Sequence, residues 1–154
     1  MTDPTTPLRD AAFMEAFLDL VIPPSDDGRM PGAGGLGIAS ELADKVEADH
    51  AVGRLVQAGL KAVDDAALAR DPAGFSGVPL HVRVEIVDAQ LGTHPMLMLG
   101  LSRHLYEAYY QHPRVLEGLG EPPRAPFPEG YDLEETDPQL LEKLLARRVF
   151  GRAR

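Results

Sequence analysis

Apolar residues recur at intervals of three and four along several stretches of this chain, and that spacing predicts amphipathic helices. The predicted helices cover residues 7–21, 38–48, 50–70 and 95–111. Their predicted core faces carry Phe13, Phe17, Leu20, Val21, Val52, Leu55, Val56, Leu60, Val63, Met96, Leu97, Leu101, Leu105 and Tyr109. Asp49 is the expected cap of the third helix, and Thr93 or His94 that of the helix from residue 95.

Residues 80–87 have a different pattern, in which apolar and polar side chains alternate. Alternation is typical of a half-buried strand, but a single strand would have no pairing partner elsewhere in this sequence. Pro79 suits the first turn of a helix. We therefore predict a helix here as well.

Two segments rich in glycine or proline interrupt the helices. Residues 25–37 are predicted to form a loop, and no phosphate-binding function is expected because a helix precedes the loop and no Gly-Lys-Ser/Thr closes it. Residues 112–137 are predicted to form a long proline-rich arm, followed by a terminal helix over 138–149. The expected fold is all-α: residues 1–154 form a single-domain bundle of about five or six helices with this arm.

Composition and charge argue against several classes of function. The formal net charge of -9 opposes binding to nucleic acid, and the absence of cysteine excludes disulfides and thiolate chemistry. The apolar run at 95–101 is too short for a membrane span. Residues 1–8 carry neither a twin arginine nor an apolar signal segment, which predicts a cytoplasmic location, or a periplasmic one if an exported partner carries the chain.

No arrangement of residues predicts a self-sufficient catalytic site. None of the four serines lies in a Gly-x-Ser-x-Gly elbow. Histidines and carboxylates on neighbouring helices resemble the ligands that helical bundles use for iron or manganese, which leaves a metal-dependent enzyme as an alternative. The candidate ligands are His81, Glu85, Asp88, His104, Glu107 and His112.

An aromatic cluster with nearby arginine is the candidate partner-binding site, because tyrosine and arginine are enriched at binding hot spots. An ordinary core role, or anchoring of the arm, is the alternative interpretation of the same rings. The predicted partner-binding residues are Tyr106, Tyr109, Tyr110, Arg114, Phe127 and Tyr131.

The order of three motifs resembles the gluconate 2-dehydrogenase subunit 3 family. Residues 17–24 read Phe-Leu-Asp-Leu-Val-Ile-Pro-Pro, an Asp/Gly loop leads to Pro-Gly-Ala at 31–33, and residues 109–114 read Tyr-Tyr-Gln-His-Pro-Arg. The likeness spans about residues 13–131. It implies a small helical subunit accompanying a flavin-dependent sugar or alcohol dehydrogenase.

The resemblance also implies how the chemistry is divided between the two proteins. FAD and hydride transfer are expected on the large partner subunit, while this chain holds no catalytic residue, cofactor or metal and serves to bind, stabilise or mature the partner. A self-associating module, in which the proline-rich segment wraps a second copy to give a homodimer, is a further alternative.

Overall fold

A computed structural model describes residues 6–124 and 142–143 of the chain. The chain divides into two units, Met1–Arg124 and Ala125–Arg154, and every helix named below belongs to the first. The described residues contain no strand, which confirms the predicted all-α class. The α-helices are α1 (Ala11–Val21), α2 (Ala39–Ala48), α3 (His50–Leu68), α4 (Leu80–Leu91), α5 (Met96–Gln111) and α6 (Pro113–Leu119).

Short polar side chains fix two of the helix starts. Asp49 accepts hydrogen bonds from the backbone N–H groups of Ala51 and Val52, at 3.2 and 3.1 Å, as predicted. Asp10 caps α1 by accepting from Phe13 N at 3.0 Å. The first helix therefore begins at Ala11 rather than at residue 7, because Pro7–Arg9 forms a separate 3-10 turn before this cap.

The predicted side-chain cap before α5 is wrong. Neither Thr93 nor His94 caps the helix by its side chain, and α5 begins at Met96 without a side-chain cap. The Thr93 hydroxyl donates backwards to the carbonyl of Gln90 at 3.1 Å, which stabilises the end of α4 instead. The His94 carbonyl accepts from Leu97 N at 3.0 Å.

The core forms where α3 packs against α2, α4 and α5. Two glycines allow α3 and α5 to pack closely: a Cβ on Gly59 would lie 2.8 Å from Leu97 Cβ, and one on Gly100 would lie 2.7 Å from Val56 Cγ2. Most predicted core positions are buried, but Leu55 is 50% exposed. Leu55 is adjacent to buried Val56 on α3 and falls just outside the face that meets the other helices.

Helix α4 confirms the helical prediction for residues 80–87 and explains their alternation. Ile86 and Val87 are buried, whereas Leu80 and Val84 are 64% and 41% exposed. The helix is apolar over more of its circumference than its packing onto α1 and α3 requires. The surplus apolar side chains face the surface.

The structure corrects the start of the predicted arm. Helix α6 occupies Pro113–Leu119, with Pro113 in its first turn and His112 Nδ1 accepting from Arg114 N at 3.2 Å as its cap. Val115 is fully buried, so this helix is packed onto the bundle rather than extended. The remainder of the arm after residue 124 lies outside the described residues, as does the terminal helix at 138–149 apart from residues 142–143.

Candidate protein-binding surface

The glycine-rich loop after α1 is shaped by hydrogen bonds from its own side chains. The Ser25 hydroxyl donates to Asp27 at 2.6 Å, and Asp27 also accepts from the backbone N–H of Arg29 at 3.1 Å. These two bonds, in that order, lower the pKa of Asp27. Asp19, in α1, accepts from Gly34 N at 2.7 Å and ties the far end of the loop to the helix.

Tyr109 joins this loop to the end of α5. Its ring is 2% exposed, and its hydroxyl donates to the Pro31 carbonyl at 2.8 Å. Burial, and secondarily the neighbouring Tyr110, raises the pKa of Tyr109. The Pro-Gly-Ala segment at 31–33 and the Tyr-Tyr-Gln-His-Pro-Arg segment at 109–114 are thus in direct contact, although the two bonded residues lie 78 positions apart.

Two further tyrosines remain open to solvent. Tyr106 and Tyr110 are 48% and 52% exposed, and their ring centroids lie 6.3 Å apart on α5. The rings of Tyr110 and Tyr109 form a T-shaped pair with a centroid distance of 5.2 Å and an interplanar angle of 88°. The buried ring therefore packs against one member of the exposed pair, Tyr110.

An apolar groove adjoins this pair. It has a volume of about 330 Å³, and Tyr106 forms part of its wall. The other lining residues come from the end of α1, from α4 and from the first half of α5: Leu20, Val21, Val84, Val87, Asp88, Leu91 and Met98. We refer to the groove together with Tyr106 and Tyr110 as the tyrosine surface.

Arg114 lines a separate, polar cavity of about 350 Å³ beside α6. The Arg29 guanidinium reaches the same cavity and donates from Nη2 to the Gly118 carbonyl at 3.3 Å. The lining residues are Gly28, Arg29, Pro31, Arg114, Glu117 and Gly118.

The candidate metal ligands are held apart. Glu85 pairs with Arg70 at 3.0 Å, and Glu107 pairs with Lys45 at 3.3 Å. His104 Nδ1 is buried without a hydrogen-bond partner among the described residues. Within residues 6–124 and 142–143, no three His, Asp or Glu side chains are grouped so that they could hold a metal ion.

The structure places the predicted partner-binding residues unequally. Tyr106 and Tyr110 are exposed together, Tyr109 lies beneath them, and Arg114 faces the polar cavity. Phe127 and Tyr131 lie outside the described residues.

The sequence interpretation missed the groove and the position of Arg29. Val84 was the one residue whose position in the sequence could have indicated the groove. It is an apolar residue on the exposed side of α4, whereas Ile86 and Val87 form the buried side. No local sequence pattern pointed to Arg29, since its neighbour across the cavity, Arg114, is 85 positions further along the chain.

Comparisons with protein-family models, with curated proteins and with solved structures found no match to this chain. In the part of the chain that the structure describes, no helix combines the length and apolar character required to cross a membrane.

Proposed function

We propose that this chain is a non-catalytic accessory subunit that binds a flavin-dependent sugar or alcohol oxidoreductase through its tyrosine surface. The observation that supports the proposal best is the exposed pair of rings, Tyr106 and Tyr110, beside an apolar groove. The class of partner comes from the resemblance of the ordered motifs, and the binding function comes from the exposed rings and groove.

The exposed rings have the properties of an interface anchor. A tyrosine ring buries a large apolar area on binding at little cost in side-chain entropy, and its hydroxyl tolerates water before the partner arrives. Tyr110 is braced by Tyr109, whose hydroxyl is fixed on the Pro31 carbonyl. A ring supported in this way loses less side-chain entropy on binding, so more of its contact energy remains as affinity.

The groove supplies a complementary recess. Its walls are almost entirely aliphatic, with Asp88 as the charged lining residue. A recess of this size accepts one or two apolar side chains from a partner, which is how hot-spot residues usually pair across an interface. The proposed partner therefore presents an aliphatic or aromatic knob, with Tyr106 closing over one side.

Co-expression tests the proposal. The chain, carrying an affinity tag, is expressed with a flavin-dependent sugar or alcohol dehydrogenase from the same organism, and the eluate is assayed for bound FAD and dehydrogenase activity. We expect co-elution at a fixed stoichiometry and a higher yield of active dehydrogenase than without this chain. Independent elution with an unchanged yield would contradict the proposal.

Light scattering on the isolated chain separates the proposal from self-association. A monomer is expected before the dehydrogenase is added. A stable dimer that dissociates on Tyr106→Ala, Tyr110→Ala substitution would assign the tyrosine surface to a second copy of this chain instead.

A further inference from the structure

We propose that the polar cavity between the loop at residues 28–31 and α6 binds a carboxylate group. We call it the arginine cavity, and its defining side chains are Arg29, Arg114 and Glu117. This inference stands on the cavity itself, without requiring the oxidoreductase.

The residues that line the cavity carry more positive than negative charge. Within the described residues, neither Arg29 nor Arg114 forms an ion pair with a carboxylate, whereas Arg9 and Arg70 both do. The two guanidiniums and Glu117 leave one net positive charge in a protein whose formal net charge is -9. Asp27, two residues before Arg29, does not line the cavity, but its carboxylate attracts the Arg29 guanidinium and offsets part of that charge.

The cavity is formed before any ligand arrives. Arg29 Nη2 is held by the Gly118 carbonyl, and a Cβ on Gly118 would lie 2.6 Å from the Arg29 carbonyl oxygen, so α6 and the loop are in backbone contact. The Tyr109 hydroxyl fixes the same loop at Pro31. A guanidinium positioned in this way loses less entropy when it binds an anion.

Charge and shape favour a carboxylate over a phosphate group. Guanidinium forks match the planar pair of carboxylate oxygens with two parallel hydrogen bonds. A single negative charge neutralises the net charge of the lining, whereas a phosphate group, at about -1.5 to -2, would leave excess negative charge beside Glu117. The volume of about 350 Å³ is in the range of small-ligand pockets.

NMR of the arginine side chains tests this inference in the full chain. The Nε–Hε signals are followed during titration with sodium propionate, and inorganic phosphate is titrated separately at constant ionic strength. We expect saturable shifts of the Arg29 and Arg114 signals at a propionate concentration on the order of 10 mM, and weaker shifts with phosphate.

Three variants make the test specific. Arg114→Gln and Arg29→Gln should each abolish saturation, while Arg54→Gln, which removes an exposed helix arginine without an ion pair among the described residues, should preserve it. Linear shifts in wild type, equal shifts at Arg54, or saturation retained in both cavity variants would overturn the inference.

A second experiment identifies the source of the carboxylate, and only this experiment rests on the proposed function. Binding of the dehydrogenase is compared for Arg114→Gln and Arg54→Gln. A loss of about tenfold confined to Arg114→Gln would assign the carboxylate to the partner. Equal binding of both variants, with propionate saturation intact in wild type, would assign the cavity to a free small acid.

Discussion

Two clusters of three aromatic rings lie within residues 6–124, and they differ in how far they are covered. Phe13, Phe17 and Phe75 are at most 4% exposed, with ring centroids 5.1 to 6.1 Å apart. The tyrosine cluster has neighbouring centroids 5.2 and 6.3 Å apart, yet two of its rings are about half exposed.

The difference follows from the chemistry of the rings. Phenylalanine has no polar group, so complete burial is its lowest-energy state, and the three phenyl rings join α1 to the segment before α4. A tyrosine hydroxyl needs a partner when it is buried. Tyr109 has one in the Pro31 carbonyl, whereas Tyr106 and Tyr110 remain at the surface. The comparison separates a cluster that is wholly part of the core from one that leaves two rings open to solvent.

The largest loss of stability is expected from a substitution in the phenylalanine cluster. Phe17→Ala removes a fully buried ring and should lower the free energy of unfolding by about 3–5 kcal/mol, measured by urea denaturation. Tyr110→Ala is the matched control, because it truncates a half-exposed ring and should change stability by about 0.5 kcal/mol or less. Equal losses in the two variants would remove the distinction between the clusters.

A smaller effect is expected inside the tyrosine cluster. Tyr109→Phe leaves the ring in place but removes the hydrogen bond to Pro31, and should cost about 1 kcal/mol in the same denaturation experiment. Tyr110→Phe serves as the control, since the described residues provide no hydrogen-bond partner for its hydroxyl, and should be close to neutral. A neutral Tyr109→Phe would mean that the bond does not hold the loop.

The sequence predicted the helices better than it predicted the surface. Helix α3 and its Asp49 cap follow from local spacing, which explains why they were found. Helix α6 was missed because His112 and Pro113 resemble the start of a proline-rich arm, although proline is favourable in the first turn of a helix. The meeting of Arg29 with α6 depends on packing between distant segments, and no local pattern encodes it.

Alkaline pH should lower the free energy of unfolding by a smaller amount, through the ionisation of Tyr109. Burial raises the pKa of Tyr109 above that in the unfolded chain, so its contribution to stability is complete below the unfolded value of about 10 and is lost as the pH rises through the folded value. The free energy of unfolding of wild type should therefore fall more steeply above about pH 10 than that of Tyr109→Phe. Identical slopes would show that Tyr109 ionises equally in both states.

The smallest effect on stability is expected at the exposed pair, where the effect on binding should be largest. The double variant Tyr106→Ala, Tyr110→Ala should unfold within about 1 kcal/mol of wild type, because each ring is about half exposed. Leu55→Ala, Leu68→Ala is its matched control, since these leucines on α3 are 50% and 49% exposed.

The most direct test of the account is the dissociation constant of the proposed partner, a flavin-dependent dehydrogenase, for these two double variants, measured by calorimetry. The tyrosine variant should bind at least about 30-fold more weakly than wild type, as expected for the loss of hot-spot rings, while the leucine variant should bind normally. Unchanged affinity in the folded tyrosine variant, or an equal loss in both variants, would contradict the assignment of the tyrosine surface as the binding site.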